Sequence, residues 1–66
     1  MIIPSDMSDE EAIASATLLG CEFYTSGTVW ISFDPDNGMY ARLGNNTIFF
    51  PTKAAAARAY LIRIKP

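Results

Sequence analysis

CEFYTSGTVWISFDPDNGMYARLGNNTIFF, residues 21–50, decides the fold. Apolar residues recur there at about every second position. The run is interrupted by Thr25-Ser26-Gly27, by Asp34-Pro35-Asp36-Asn37-Gly38 and by Gly44-Asn45-Asn46. Period-two hydrophobicity between clusters of Gly, Pro, Asn and Asp reads as strands joined by tight turns. The expected strands are 21–24, 28–33, 39–43 and 47–50. The first is short, so the meander has three or four strands.

Turn lengths then set an expected register. A five-residue loop over 34–38 pairs Phe33 with Met39, Ile31 with Ala41, Trp30 with Arg42 and Val29 with Leu43. A two-residue turn at Asn45-Asn46 pairs Leu43 with Ile48, Arg42 with Phe49 and Ala41 with Phe50. A three-residue loop with Gly27 last pairs Phe23 with Val29 and Glu22 with Trp30. One face then gathers Cys21, Phe23, Val29, Ile31, Phe33, Met39, Ala41, Leu43, Ile48 and Phe50, which is a core. The other gathers Glu22, Tyr24, Thr28, Trp30, Ser32, Tyr40, Arg42 and Phe49. A slip of one residue exchanges the two sets within a strand.

Helices flank this region. Ser8-Asp9-Glu10-Glu11 is a capping-box pattern, with Ser8 as cap and Glu11 reaching back from the third helical position. The helix continues through Ala12, Ile13, Ala16 and Leu19, and Gly20 is its expected stop. After Pro51, Thr52 caps a second helix that opens Lys53-Ala54-Ala55-Ala56-Ala57, a run of high helix propensity. Ala54, Ala57, Leu61 and Ile64 share one of its faces. Beyond Tyr60 the alternation of Ile62 and Ile64 with charged residues leaves open a change to strand near Leu61. The expected class is α+β in a single domain, 1–66. A three- to four-stranded antiparallel meander has an N-terminal and a C-terminal helix packed on one face (α-β-β-β-(β)-α).

Composition narrows the chemistry. The chain has 66 residues, half of them hydrophobic, with no His and one Cys. A single Cys forms no internal disulfide, and without His no Cys/His zinc set exists. Ser-His and Cys-His pairs are excluded as well. The reading is therefore a non-catalytic protein, with no cofactor and no metal. Asp34, Asp36 and Asn37 have the ligand types for a hard cation, but the segment is too short for an EF-hand loop and lacks its distal Glu, so it reads as a turn. The first residues lack the pattern of a signal peptide, and no apolar run approaches the ~18 residues of a membrane span. A cytoplasmic location is expected, in keeping with Cys21 as a buried free thiol.

The charges are sorted along the chain. All seven carboxylates precede residue 37 and all five bases follow residue 41, with a net charge of −2. This order suits helix dipoles. It also makes an acidic N-terminal half, with Asp9, Glu10 and Glu11, that would steer toward a basic partner, such as a protein that handles nucleic acid.

The candidate contact surface is the outer sheet face. In the expected register Glu22, Trp30, Arg42 and Phe49 form one cross-strand row, with Tyr24 and Tyr40 beside it. An Arg42–Trp30 cation–π contact would stabilise the sheet. Trp, Tyr and Arg are also the residue types that anchor interfaces. Trp30, Tyr40, Arg42, Phe49, Tyr24, Glu22, Asp9, Glu10 and Glu11 are the candidate partner-binding residues. A homodimer through the aromatic faces is an alternative.

Two resemblances add expectations. Thr52-Lys53-Ala54-Ala55-Ala56-Ala57-Arg58 is similar to the start of the last helix of double-stranded-RNA-binding domains, over these seven residues. It implies nucleic-acid binding through Lys53, Arg58, Arg63 and Lys65. Lys53 is alone where that family has several lysines, and the pI is near 4.7, which opposes phosphate binding. As a very short, acidic chain with an exposed aromatic face, the protein also resembles small phage-encoded inhibitors of the anti-CRISPR type. That resemblance implies a protein partner in a host cytoplasm.

Overall fold

The computed structural model describes residues 6–42 and 48–64, and of residues 63 and 64 only the backbone. The chain forms α1 (Asp9–Leu18), β1 (Glu22–Ser26), β2 (Val29–Asp34), β3 (Met39–Tyr40) and α2 (Lys53–Ile64). The strands make one antiparallel sheet in the order β1-β2-β3. This is the α+β order read from the sequence.

Both ends of α1 are set by local hydrogen bonds. Ser8 Oγ accepts from the Glu11 N–H at 3.2 Å, and Glu11 Oε1 accepts from the Ser8 N–H at 3.0 Å. The capping box is complete. At the other end Gly20 has φ +98°, a conformation open to glycine because it lacks Cβ. The Cys21 N–H reaches back to Ala16 O and the Gly20 N–H to Thr17 O, both at 3.0 Å. This pair of bonds is a Schellman stop, and it sends Cys21 into the core beside Ala16.

α2 begins as expected, with Thr52 Oγ1 accepting from the Ala55 N–H at 3.0 Å, and it stays helical through Ile64. No turn to strand occurs at Leu61. Ala54, Ala57 and Leu61 are buried as the pattern predicts, but so are Ala56, Ala59 and Tyr60. The reason is that α2 is covered on two sides, by the sheet and by α1. Helices buried on both sides lose the polar stripe of a surface helix, and alanines let both neighbours approach. Tyr60 satisfies its hydroxyl by donating to Leu19 O at 3.2 Å. Arg58 ties the helices together at their rim. Its Nη2 donates to Met7 O at 2.7 Å and lies 2.9 Å from Asp9 Oδ1.

The sheet departs from the expected register. β1 and β2 pair Glu22 with Phe33, Phe23 with Ser32, Tyr24 with Ile31, Thr25 with Trp30 and Ser26 with Val29. The connection is therefore the two-residue turn Gly27-Thr28, with Gly27 at φ +65°, and not a loop over 25–27. β2 and β3 pair Phe33 with Tyr40 and Asp34 with Met39, so the second loop is four residues and Gly38 (φ +65°) closes it. The first loop loses Thr25 and Ser26 to the pairing and gains Thr28, and the second loses Asp34, so each is one residue shorter than expected. Hence β1 and β3 keep their expected faces while β2 turns over. Trp30, Ser32 and Asp34 face the helices, and Val29, Ile31 and Phe33 face away.

Among the described residues the expected fourth strand is reduced to one bridge. Phe50 exchanges both backbone bonds with Trp30, at 2.7 and 2.9 Å, and does not pair with Ala41. Ala41 donates to Ser32 O at 2.9 Å, so Phe50 takes the next site along the same edge of β2. Both Ala41 and Phe50 are buried, as expected. The expected turn at Asn45-Asn46 and the Leu43–Ile48 pair lie outside the described residues.

Candidate protein-docking face

The inner face of β2 carries polar groups in a buried setting, and each is bonded. Ser32 Oγ donates to Ala56 O at 2.8 Å, across the sheet–helix contact. Asp34 accepts from the Asp36 N–H at 3.1 Å and from Asn37 Nδ2 at 2.6 Å, which fixes the turn between β2 and β3. Buried polar side-chain atoms among the described residues all have partners, so this face carries no desolvation cost of unmade bonds. Trp30 lies half-buried here. Its cation is Lys53, whose Nζ lies 5.6 Å from the Trp30 ring and 5.1 Å from the Phe23 ring. The expected Arg42–Trp30 contact does not form, because β2 turns Trp30 to the opposite side.

The outer face is where the aromatic residues meet. Phe33 stands between Tyr24 and Tyr40, with ring centroids 6.4 and 5.1 Å apart and ring planes inclined at 67° and 58°. With Ile31 these rings line a shallow cavity of about 220 Å³. Cross-strand pairing places the parts, since Tyr24 opposes Ile31, Phe33 opposes Tyr40 and Glu22 opposes Phe33. Tyr24 Oη donates to Glu22 Oε1 at 2.6 Å. That bond to a carboxylate holds the phenol proton and raises the Tyr24 pKa above its ordinary value. Tyr24 and Tyr40 remain close to half-exposed.

Of the candidate residues, Glu22, Tyr24 and Tyr40 come together on this face. Trp30 is on the inner face, a correction to the expected row. Arg42 is exposed beyond the end of β3, and Phe49 is exposed just before the Phe50 bridge. Neither lines the cavity. Asp9 is drawn to Arg58, Glu11 is held in the capping box and Glu10 is exposed on the first turn of α1. The residues missed by sequence reasoning are Ile31 and Phe33, which hydropathy assigns to the core. A signal for them exists. A two-residue turn with Gly first is a favoured hairpin connection, and reading Gly27-Thr28 that way yields the observed faces.

Cys21 is a core group. Burial pushes its thiol up to about 11; the Phe33 backbone bond opposes this, and the Asp34 and Glu22 carboxylates add to it. A thiol held so high stays protonated and weakly nucleophilic at neutral pH. Among the described residues no cluster of three or more His, Cys, Asp or Glu is placed to hold a metal ion. No described helix is long and apolar enough to cross a membrane. No family model, curated protein or solved structure matches the chain.

Proposed function

We propose that the chain is a non-catalytic protein-binding module that docks through the outer face of its sheet. One observation carries this reading. β2 turns Val29, Ile31 and Phe33 away from the helices, beside Tyr24 and Tyr40, and so leaves an apolar, aromatic surface facing solvent. Exposed apolar patches on small proteins mark contact surfaces, and Tyr and Phe suit interface cores.

Of the four bases of the alternative nucleic-acid reading, the side chains of Arg63 and Lys65 lie outside the described residues, and the other two are engaged within the fold. Lys53 lies over two rings and Arg58 pairs with Asp9. Exposed Glu22 on the outer face and Asp36 in the turn before β3 instead favour a basic protein surface. An inhibitor that covers such a surface on a nucleic-acid-handling protein, of the kind phages encode, is the narrower form of the proposal. The cytoplasm is a setting that keeps Cys21 reduced.

The test compares the wild-type chain with a Tyr24→Ser/Tyr40→Ser double variant as immobilised baits. Circular dichroism checks that both are folded. A partner retained by the first and lost by the second, with the difference reproduced by calorimetry on the purified partner, supports docking through this face. Equal retention of the same partners by both baits sinks it.

A further inference from the structure

We infer that the cavity between Tyr24, Phe33 and Tyr40 receives one cationic side chain, an arginine guanidinium or a lysine ammonium, presented by the partner protein. This rests on the docking reading and names the chemistry the partner brings to it.

Size argues first. At about 220 Å³ the cavity is smaller than the roughly 300–1,000 Å³ typical of small-molecule sites, and it is open on the solvent side of the sheet. It suits a single side chain better than a free metabolite. Shape argues next. Three rings inclined to one another at 67° and 58° form walls rather than a flat stack. An aromatic face carries the negative part of the ring quadrupole, which attracts a cation placed over it.

Charge separates a cation from an apolar occupant. Glu22 stands opposite Phe33 and holds Tyr24 Oη at 2.6 Å, so a carboxylate belongs to the same cluster as the rings. Asp36 is exposed in the turn that leads into β3. The fold already uses this chemistry on its other face, where the Lys53 ammonium lies over Phe23 and Trp30. The outer face offers the same kind of ring pair with a carboxylate added, open to solvent. A neutral aliphatic side chain would meet the rings and leave the carboxylate without a counter-charge.

The probes are peptides Gly-Gly-Xaa-Gly-Gly, blocked at both ends, with Xaa as arginine, lysine, citrulline or norleucine. Citrulline keeps the shape of arginine without its charge. Each is titrated into the isotopically labelled full chain at millimolar concentration, and the ring resonances of Tyr24, Phe33 and Tyr40 are followed by NMR. The expected result is saturable shifts with arginine and lysine, and roughly two- to fivefold weaker binding of citrulline. Glu22→Gln should weaken the arginine peptide while leaving the spectrum of the fold unchanged.

Equal affinity for arginine, citrulline and norleucine overturns the inference and makes the site simply apolar. Absence of shifts with every peptide also overturns it. Shifts of the same resonances on raising the protein concentration alone, with dimer seen by sedimentation, overturn it in favour of a second copy. The docking reading has its own fate in each case, since it stands or falls on the bait comparison of the Tyr24/Tyr40 variant.

Discussion

The two faces of β2 differ in a direction opposite to hydropathy. The face toward the helices carries Trp30, Ser32 and Asp34, and the last two are almost fully buried. The face toward solvent carries Val29, Ile31 and Phe33, all only partly buried. Each face has a different task. The inner face has specific bonds to make, from Ser32 to α2 and from Asp34 to its turn. The outer face has no such bonds to make, and its rings and branched side chains form a surface shaped by contact with one another.

The strongest way to break this contrast is to remove the apolar group that closes the inner face. Phe50 is 3% exposed and bridges Trp30. Phe50→Ala should cost about 3–5 kcal/mol. A domain of this length has a total stability of roughly 3–10 kcal/mol, so the urea midpoint should fall by about a third or more, and to zero at the low end of that range. An unchanged midpoint would show that the inner face is not the structural one.

Ser32→Val makes the inner face more apolar, yet it removes the Ser32 Oγ–Ala56 O bond between sheet and helix and adds volume under α2. It should destabilise by about 1–3 kcal/mol. Val29→Thr, the mirror change on the outer face, should stay within about 1 kcal/mol. Denaturant midpoints of the two variants, measured side by side, check the order. A stabilising Ser32→Val would mean that hydropathy, and not the bond to α2, governs β2.

The smallest expected effect is on titration. Tyr24 has a raised pKa because its hydroxyl donates to the Glu22 carboxylate. Glu22→Gln should return it toward the ordinary tyrosine value of about 10, read by NMR or by phenolate absorbance. The sign for stability follows. A folded pKa above the unfolded one gives a contribution present below about pH 10. That contribution is lost as pH rises through the folded value. The variant should therefore lack this alkaline loss, and a Tyr24 pKa unmoved in the variant would remove Glu22 from the cluster.

Much of the candidate site was legible and its centre was not. Glu22, Tyr24 and Tyr40 keep the face that alternation assigns them, because β1 and β3 are read in the correct phase. Ile31, Phe33 and Trp30 were exchanged between faces, because the phase of β2 depends on two loops and each is one residue shorter than expected. Arg42 and Phe49 were placed in the row by extending β3 to residue 43, whereas the strand ends at Tyr40 and Phe50 continues the edge.

The order of the elements and the ends of α1 and the start of α2 are written in the local sequence. Ser8 and Glu11, Gly20, Thr52 and the glycines at 27 and 38 act within a few residues of themselves, through backbone bonds and allowed dihedral angles, and such effects are written locally. Which side of β2 meets α2 is set by long-range packing. Alternation alone points to the opposite phase, because Val29, Ile31 and Phe33 outweigh Trp30, Ser32 and Asp34 in hydropathy. The choice is made by contacts far apart in the chain, Ser32 with Ala56, Trp30 with Phe50 and Lys53, and it leaves the rings of Tyr24, Phe33 and Tyr40 facing outward.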